Sequence, residues 1–81
     1  MKYSKHMEKR MRQRGYTKSL TNFVIEHGKP VEGGFIMNRK IAQELLVQSE
    51  QVKKLAQEAL KKGEIFIAAE GETLKTVYSR Y

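Results

Sequence analysis

Ser4-Lys5-His6-Met7-Glu8-Lys9-Arg10-Met11-Arg12-Gln13-Arg14-Gly15 is the stretch from which the rest of the chain can be placed. Helical residues advance about 100° each, so positions i, i+4 and i+7 or i+8 stack above one another. A helix here sets His6, Arg10 and Gln13 or Arg14 on one stripe, with Tyr3, Met7 and Met11 on an apolar stripe beside it. Ser4 is a natural N-cap. Gly15 is a natural left-handed stop behind Arg12 and Arg14, whose charges suit the negative end of the helix dipole. One helix therefore offers a core-facing edge and, next to it, a histidine flanked by guanidinium groups.

Downstream, Thr17 caps a second helix in which Leu20, Phe23, Val24 and His27 recur at helical spacing before Gly28. His27 falls in the last turn, where the dipole favours an imidazolium, so capping is its expected role. Pro30 blocks helical continuation. Val31 to Met37, with Gly33-Gly34 inside it, reads as one short irregular strand with a bulge or a close backbone approach. Asn38 to Lys62 reads as one long helix: Ile41, Leu45, Gln48, Val52, Leu55 and Ala59 trace a stripe, Asn38 caps it and Gly63 stops it. Such a helix would run about 36 Å. That is long for so small a domain, so either the polar patch Gln48-Ser49-Glu50-Gln51 kinks it or one end overhangs and forms a homodimer with a second copy.

Glu64 to Tyr81 reads as a β-hairpin, with an apolar run from Ile65 to Ala69, a turn at Glu70-Gly71 and a return from Leu74 to Tyr81. The spacing leaves two registers open, Ile65 facing Thr76 or Val77. A slip of one residue reverses the face that Tyr78 and Arg80 occupy. The expectation is a single α+β domain over residues 1–81: two short N-terminal helices, a strand, a long helix and a C-terminal hairpin, with a small, mainly antiparallel sheet.

So short a chain has a thin core and little room for a cofactor pocket, and no cofactor is expected. The absence of cysteine excludes a disulfide framework, a thiolate metal site and a cysteine nucleophile. Aspartate is also absent and the glutamates are scattered, so the carboxylate cluster of a metal-dependent nuclease is missing and no metal site is expected. No apolar run approaches a membrane span and no signal-peptide core opens the chain, which points to the cytoplasm and to no membrane partner.

The distribution of charge is more telling. Of a net charge of +7, residues 1 to 18 hold seven basic groups against Glu8 alone, while the rest of the chain is nearly balanced. Such a concentration marks a surface for RNA or another polyanion, because each phosphate contact releases condensed counterions. Lys5, Lys9, Arg10, Arg12, Arg14 and Lys18, with Arg80 from the last strand, are the expected nucleic-acid-binding residues. A small acidic protein would satisfy the same charge. Metal-free RNA cleavage needs a base, cations for the charge growing on phosphorus, and an acid for the leaving oxygen. His6 is the natural proton carrier, since histidine ordinarily titrates near neutrality. Arg10 and Arg14 would clamp phosphate, and Tyr78 and Arg80 would fill the remaining roles if they project to that face. Against this stands a plainer reading, in which a lone histidine in a first helical turn is structural and the helix serves a non-catalytic nucleic-acid-binding or protein-interaction module.

The Ser4 to Gly15 run, the short helix ending in His27-Gly28, the strand after it and Thr76-Val77-Tyr78 near the C-terminus resemble a widespread small bacterial domain family of unknown function, over residues 3 to 34 and 64 to 81. That family is grouped with the barnase, colicin and RelE-like ribonuclease fold, which includes many toxins of toxin-antitoxin modules. The resemblance implies an RNA-directed, toxin-like protein, a metal-independent endoribonuclease with a small acidic antitoxin-like partner. It points to His6, Arg10, Arg14, Thr76 and Tyr78. The chain departs from the family between those segments, where Asn38 to Lys62 reads as helix instead of a second strand.

Overall fold

The computed structural model describes residues 1 to 80; Tyr81, expected to end the last strand, lies outside them. In chain order the elements are β1 (Lys2–Tyr3), α1 (Lys5–Arg14), α2 (Lys18–His27), β2 (Lys29–Val31), β3 (Gly34–Met37), α3 (Arg39–Leu45), α4 (Glu50–Lys62), β4 (Glu64–Glu70) and β5 (Thr73–Arg80). The α+β class is as expected. The sheet, however, is mixed instead of mainly antiparallel, with strand order β1-β5-β4-β3-β2. Its parallel member is β1, which pairs Lys2 with Thr73 and Tyr3 with Leu74. Tyr3 therefore belongs to a strand, not to the apolar stripe of the first helix.

Local chemistry sets the ends of α1. The Ser4 hydroxyl accepts from the Met7 amide at 2.9 Å and donates to the Lys75 carbonyl at 3.1 Å, so one side chain both caps the helix and ties it to β5. Gly15 closes the helix at φ 73°, a left-handed conformation that costs glycine nothing. Ser4→Ala is expected to remove about 1 kcal/mol or slightly more, read as a lower urea midpoint at unchanged slope. Met7 and Met11 are buried, and they join Leu20, Phe23 and Val24 of α2, Ala56 and Ala59 of α4, and Met37, Ile65, Ile67, Leu74 and Val77 of the sheet in one core.

The segment read as one long helix is two, interrupted at the polar patch where a kink was one of the two expectations. Asn38 caps α3 through the Ile41 amide at 2.8 Å, and Ser49 caps α4 through the Val52 amide at 3.4 Å. Between them Leu46 and Gln48 make tight three-residue backbone bonds to Gln43 and Leu45, and Val47 is left 86% exposed. The break has a packing cause. The molecule measures 33 × 25 × 23 Å, so an unbroken rod would overhang, whereas the bend lets Leu45 and Leu46 as well as Val52 and Leu55 reach the core. The overhang that was to seat a second copy is therefore absent.

The single strand expected from Val31 to Met37 is instead a hairpin, β2 and β3, turned at Glu32-Gly33 with Gly33 at φ 85°. Pro30 sits in β2, the edge strand, where its missing N–H leaves no ladder position empty. The C-terminal hairpin turns one residue later than expected, with Glu70 opposite Thr73, and carries an irregularity between Ala68 and Ala69. Ile65 consequently faces Ser79, not Thr76 or Val77, and Phe66 faces Tyr78.

That register decides the two faces of the sheet. Met37, Ile65, Ile67, Leu74 and Val77 point into the core, whereas Ile36, Phe66, Ala68 and Tyr78 neither enter it nor pack against it. Residues from α1, α2, α3 and α4 all contribute to the covered side. The Tyr3 ring is half-buried at that boundary, and its hydroxyl donates to Asn22 Oδ1 at 3.2 Å. Burial raises the phenol above its ordinary value near 10. The unfolded chain ionises first, so this contribution to stability is intact below about pH 10 and is lost as pH rises through the folded value. Denaturant unfolding between pH 9 and pH 11 should show the decline, and Tyr3→Phe should make it shallower.

Candidate functional site

Met7 and Met11 fix the inward edge of α1, and the other side chains follow from 100° steps. Lys9 lies nearly opposite that edge, with Lys5 and Arg12 on one side of it and His6 and Gln13 on the other; all five are exposed. Arg10 continues the His6 flank toward the core and is half-buried. Its Nε is shut off from solvent with no hydrogen-bond partner among the described residues, so an anion meeting Arg10 would have to use the terminal guanidinium nitrogens. His6 and Arg10 are thus neighbours one turn apart, whereas Arg12 faces away from them. The cations spread around the helix instead of forming one ridge, with Lys5, Lys9 and Arg12 on its outer half and Arg10 and Arg14 on the flank nearer the core.

Arg14 ends the helix toward α4. Its carbonyl accepts from Lys62 Nζ at 2.6 Å, and the same ammonium stands 4.7 Å from the centre of the Tyr16 ring. The last turn of α4 thereby adds Lys61 and Lys62 to the basic surface, beside an open pocket of 350 Å³ that both line with Gly15, Thr17, Leu20 and Glu58. Lys18 stands 5.5 Å from the centre of the Tyr3 ring, a cation–π arrangement that holds it near the start of α2. Among the described residues, no carboxylate lies within ion-pair distance of Lys5, Lys9, Arg10, Arg12 or Arg14.

The remaining candidates lie elsewhere. Tyr78 is 37% exposed on the sheet face opposite the core, its ring 5.3 Å from that of Phe66. Thr76 shares that face by strand alternation. Arg80 is on it too, paired with Glu64 at 3.4 Å. Tyr78 and His6 therefore belong to different surfaces, although α1 runs against β5, the strand that bears Tyr78. His27 lies tilted against Phe23, ring centres 4.9 Å apart, within reach of Glu26 at 3.9 Å, at the end of α2. No group of three or more histidine and acidic side chains converges among the described residues, and no described helix is long and apolar enough to cross a membrane.

Sequence reading missed five contributors. Lys61 and Lys62 are remote from α1 in sequence and join it only by packing. Arg39 and Lys40 meet Arg80 across the end of the sheet. Phe66 was read as part of an apolar run, yet its place between Ile65 and Ile67 on an alternating strand is the pattern of an outward residue. Comparison with family models, curated protein sequences and solved structures returns no match to this chain.

Proposed function

We propose that the protein is RNA-directed, holding the phosphate backbone with the outer half of α1, and that His6 makes it a metal-independent, toxin-like endoribonuclease. The observation that supports RNA binding is the set of cations on α1 that no carboxylate pairs among the described residues. Charges already matched by carboxylates would gain little from phosphate, whereas these have only water and salt to exchange. The same surface is the one an acidic antitoxin-like protein would cover.

For cleavage, His6 takes the proton of a ribose 2′-hydroxyl, the freed oxygen attacks phosphorus, and the bond to the 5′-oxygen breaks. A 2′,3′-cyclic phosphate remains, and the departing oxygen takes a proton from water or from the imidazolium. Arg10, one turn on, opposes the charge that grows on the phosphoryl oxygens. Tyr78, on the other side of the sheet, has no part in this step. Bulk RNA incubated in excess chelator should be cut by the wild-type protein, leaving cyclic phosphate ends. His6→Ala should lower the rate at least about 100-fold. Equal rates would remove the catalytic role.

One observation favours a non-catalytic binding module as the second reading. His6 is exposed and no side-chain hydrogen bond orients it among the described residues. That reading expects binding that weakens steeply with salt and no cyclic phosphate at any pH.

A further inference from the structure

The side of the sheet that the helices leave uncovered carries a feature of its own. Phe66 on β4 and Tyr78 on β5 are cross-strand partners, their rings 5.3 Å apart at 44°. Neither contributes to the core. Aromatic side chains on adjacent strands of an open face present planar apolar surface at low entropic cost. Two residues further along each strand, on the same face, stand Glu64 and Arg80. Arg80 and Glu64 line an open pocket of 330 Å³ together with Asn38, Arg39, Lys40 and Gly63. That pocket holds three cations against one carboxylate. The step along the strand from ring to pocket is about 7 Å, comparable to that from a nucleobase to a neighbouring phosphate.

The two halves demand different things of a partner. The rings favour a flat apolar face and the pocket favours an anion, in a chain whose net charge is +7. An unpaired nucleotide strand offers both, because its bases can splay out and stack on aromatic rings while its backbone meets cations. A duplex hides its base faces and meets only the second demand. We propose that the helix-free face of the sheet binds single-stranded RNA, its bases stacking on Phe66 and Tyr78 and a phosphate seated among Arg39, Lys40 and Arg80. The proposal rests on the RNA-directed reading above and adds the class of substrate. It also gives Tyr78 a binding role separate from the chemistry at His6.

The test is titration of the full chain with a labelled 12-nucleotide RNA strand, an RNA duplex of the same length and a DNA strand of matching sequence. Replacing both rings (Phe66→Leu with Tyr78→Leu) should weaken binding of the RNA strand about 100-fold, about tenfold per ring, with an unchanged salt slope and unchanged duplex binding. Arg39→Gln, Lys40→Gln and Arg80→Gln together should lower the salt slope by about 2. Ultraviolet cross-linking of the wild-type complex should recover nucleotide on peptides containing residue 66 or 78, a readout that needs no variant to fold. If the leucine pair binds as tightly as wild type and cross-links fall on α1 peptides alone, the sheet face is overturned while RNA binding stands. If wild type binds neither RNA, both proposals fall. Equal affinity for the DNA strand would overturn the assignment to RNA.

Discussion

Gly34→Ala is expected to cost about 3 kcal/mol or more and to leave much of the protein unfolded at room temperature. A Cβ built on Gly34 runs into the Ile67 carbonyl oxygen, and it meets the Ile67 carbonyl carbon at 2.9 Å and the Ala68 Cα at 3.1 Å. All three atoms belong to the β4 backbone, so no flexible side chain can swing aside. Relief requires β3 to part from β4, which would break the pairing of Phe35 with Ile67 and detach the edge hairpin. A domain this small has little stability in reserve. Gly33→Ala is the control. Gly33 has φ 85° and open space around it, so only backbone strain is at stake, about 1 kcal/mol. Paired urea and thermal melts check the difference. A Gly34→Ala protein that melts within a few degrees of Gly33→Ala would contradict the close approach of β3 and β4.

The second large effect concerns binding. Neutralising Lys5, Lys9, Arg12 and Arg14 to glutamine together is expected to reduce the slope of log affinity against log salt by about 2.8 for single-stranded RNA. At 0.1 M salt that corresponds to several hundred-fold weaker binding. The folding penalty should be small, because all four side chains are exposed and none is ion-paired among the described residues. Lys53 and Lys54 are equally exposed on α4, away from α1, and provide the comparison. Changing both to glutamine removes half as many charges from a surface with no proposed role, and affinity should move only slightly. If the two sets of variants lose affinity in proportion to net charge alone, α1 has no special place in binding.

The legible parts of the fold were those written in short-range chemistry. Ser4, Thr17 and Asn38 each accept from an amide three residues on, so cap and helix can be read within one turn of sequence. Gly15 stops α1 in the conformation its position implied. The parts that escaped depend on distant partners. β1 is two residues long, with no periodicity to find, and its partner lies some seventy positions away. The break before Ser49 was one of two outcomes open for that segment, and what decides it is the size of the core that Leu45 and Val52 must share. The C-terminal register turns on an irregularity at Ala68/Ala69 that no alternation predicts. The same division holds for the site. The cations of α1 were visible in composition. The face of Tyr78 and the meeting of Arg39 and Lys40 with Arg80 were not, because each needs the register first.

The pairing of β1 with the start of β5 also bears on the order in which the molecule is assembled. α1 precedes β5 by most of the other elements, yet its anchors are Leu74 and Lys75, through Ser4, and the core edge that β5 supplies. The helix can dock on β5 only once residues 73 to 80 are available, and the closing contact spans some seventy residues, which slows it. α1 is therefore among the last elements to be seated, and the spacing of charges around it becomes permanent only once residues 73 to 80 have joined the sheet.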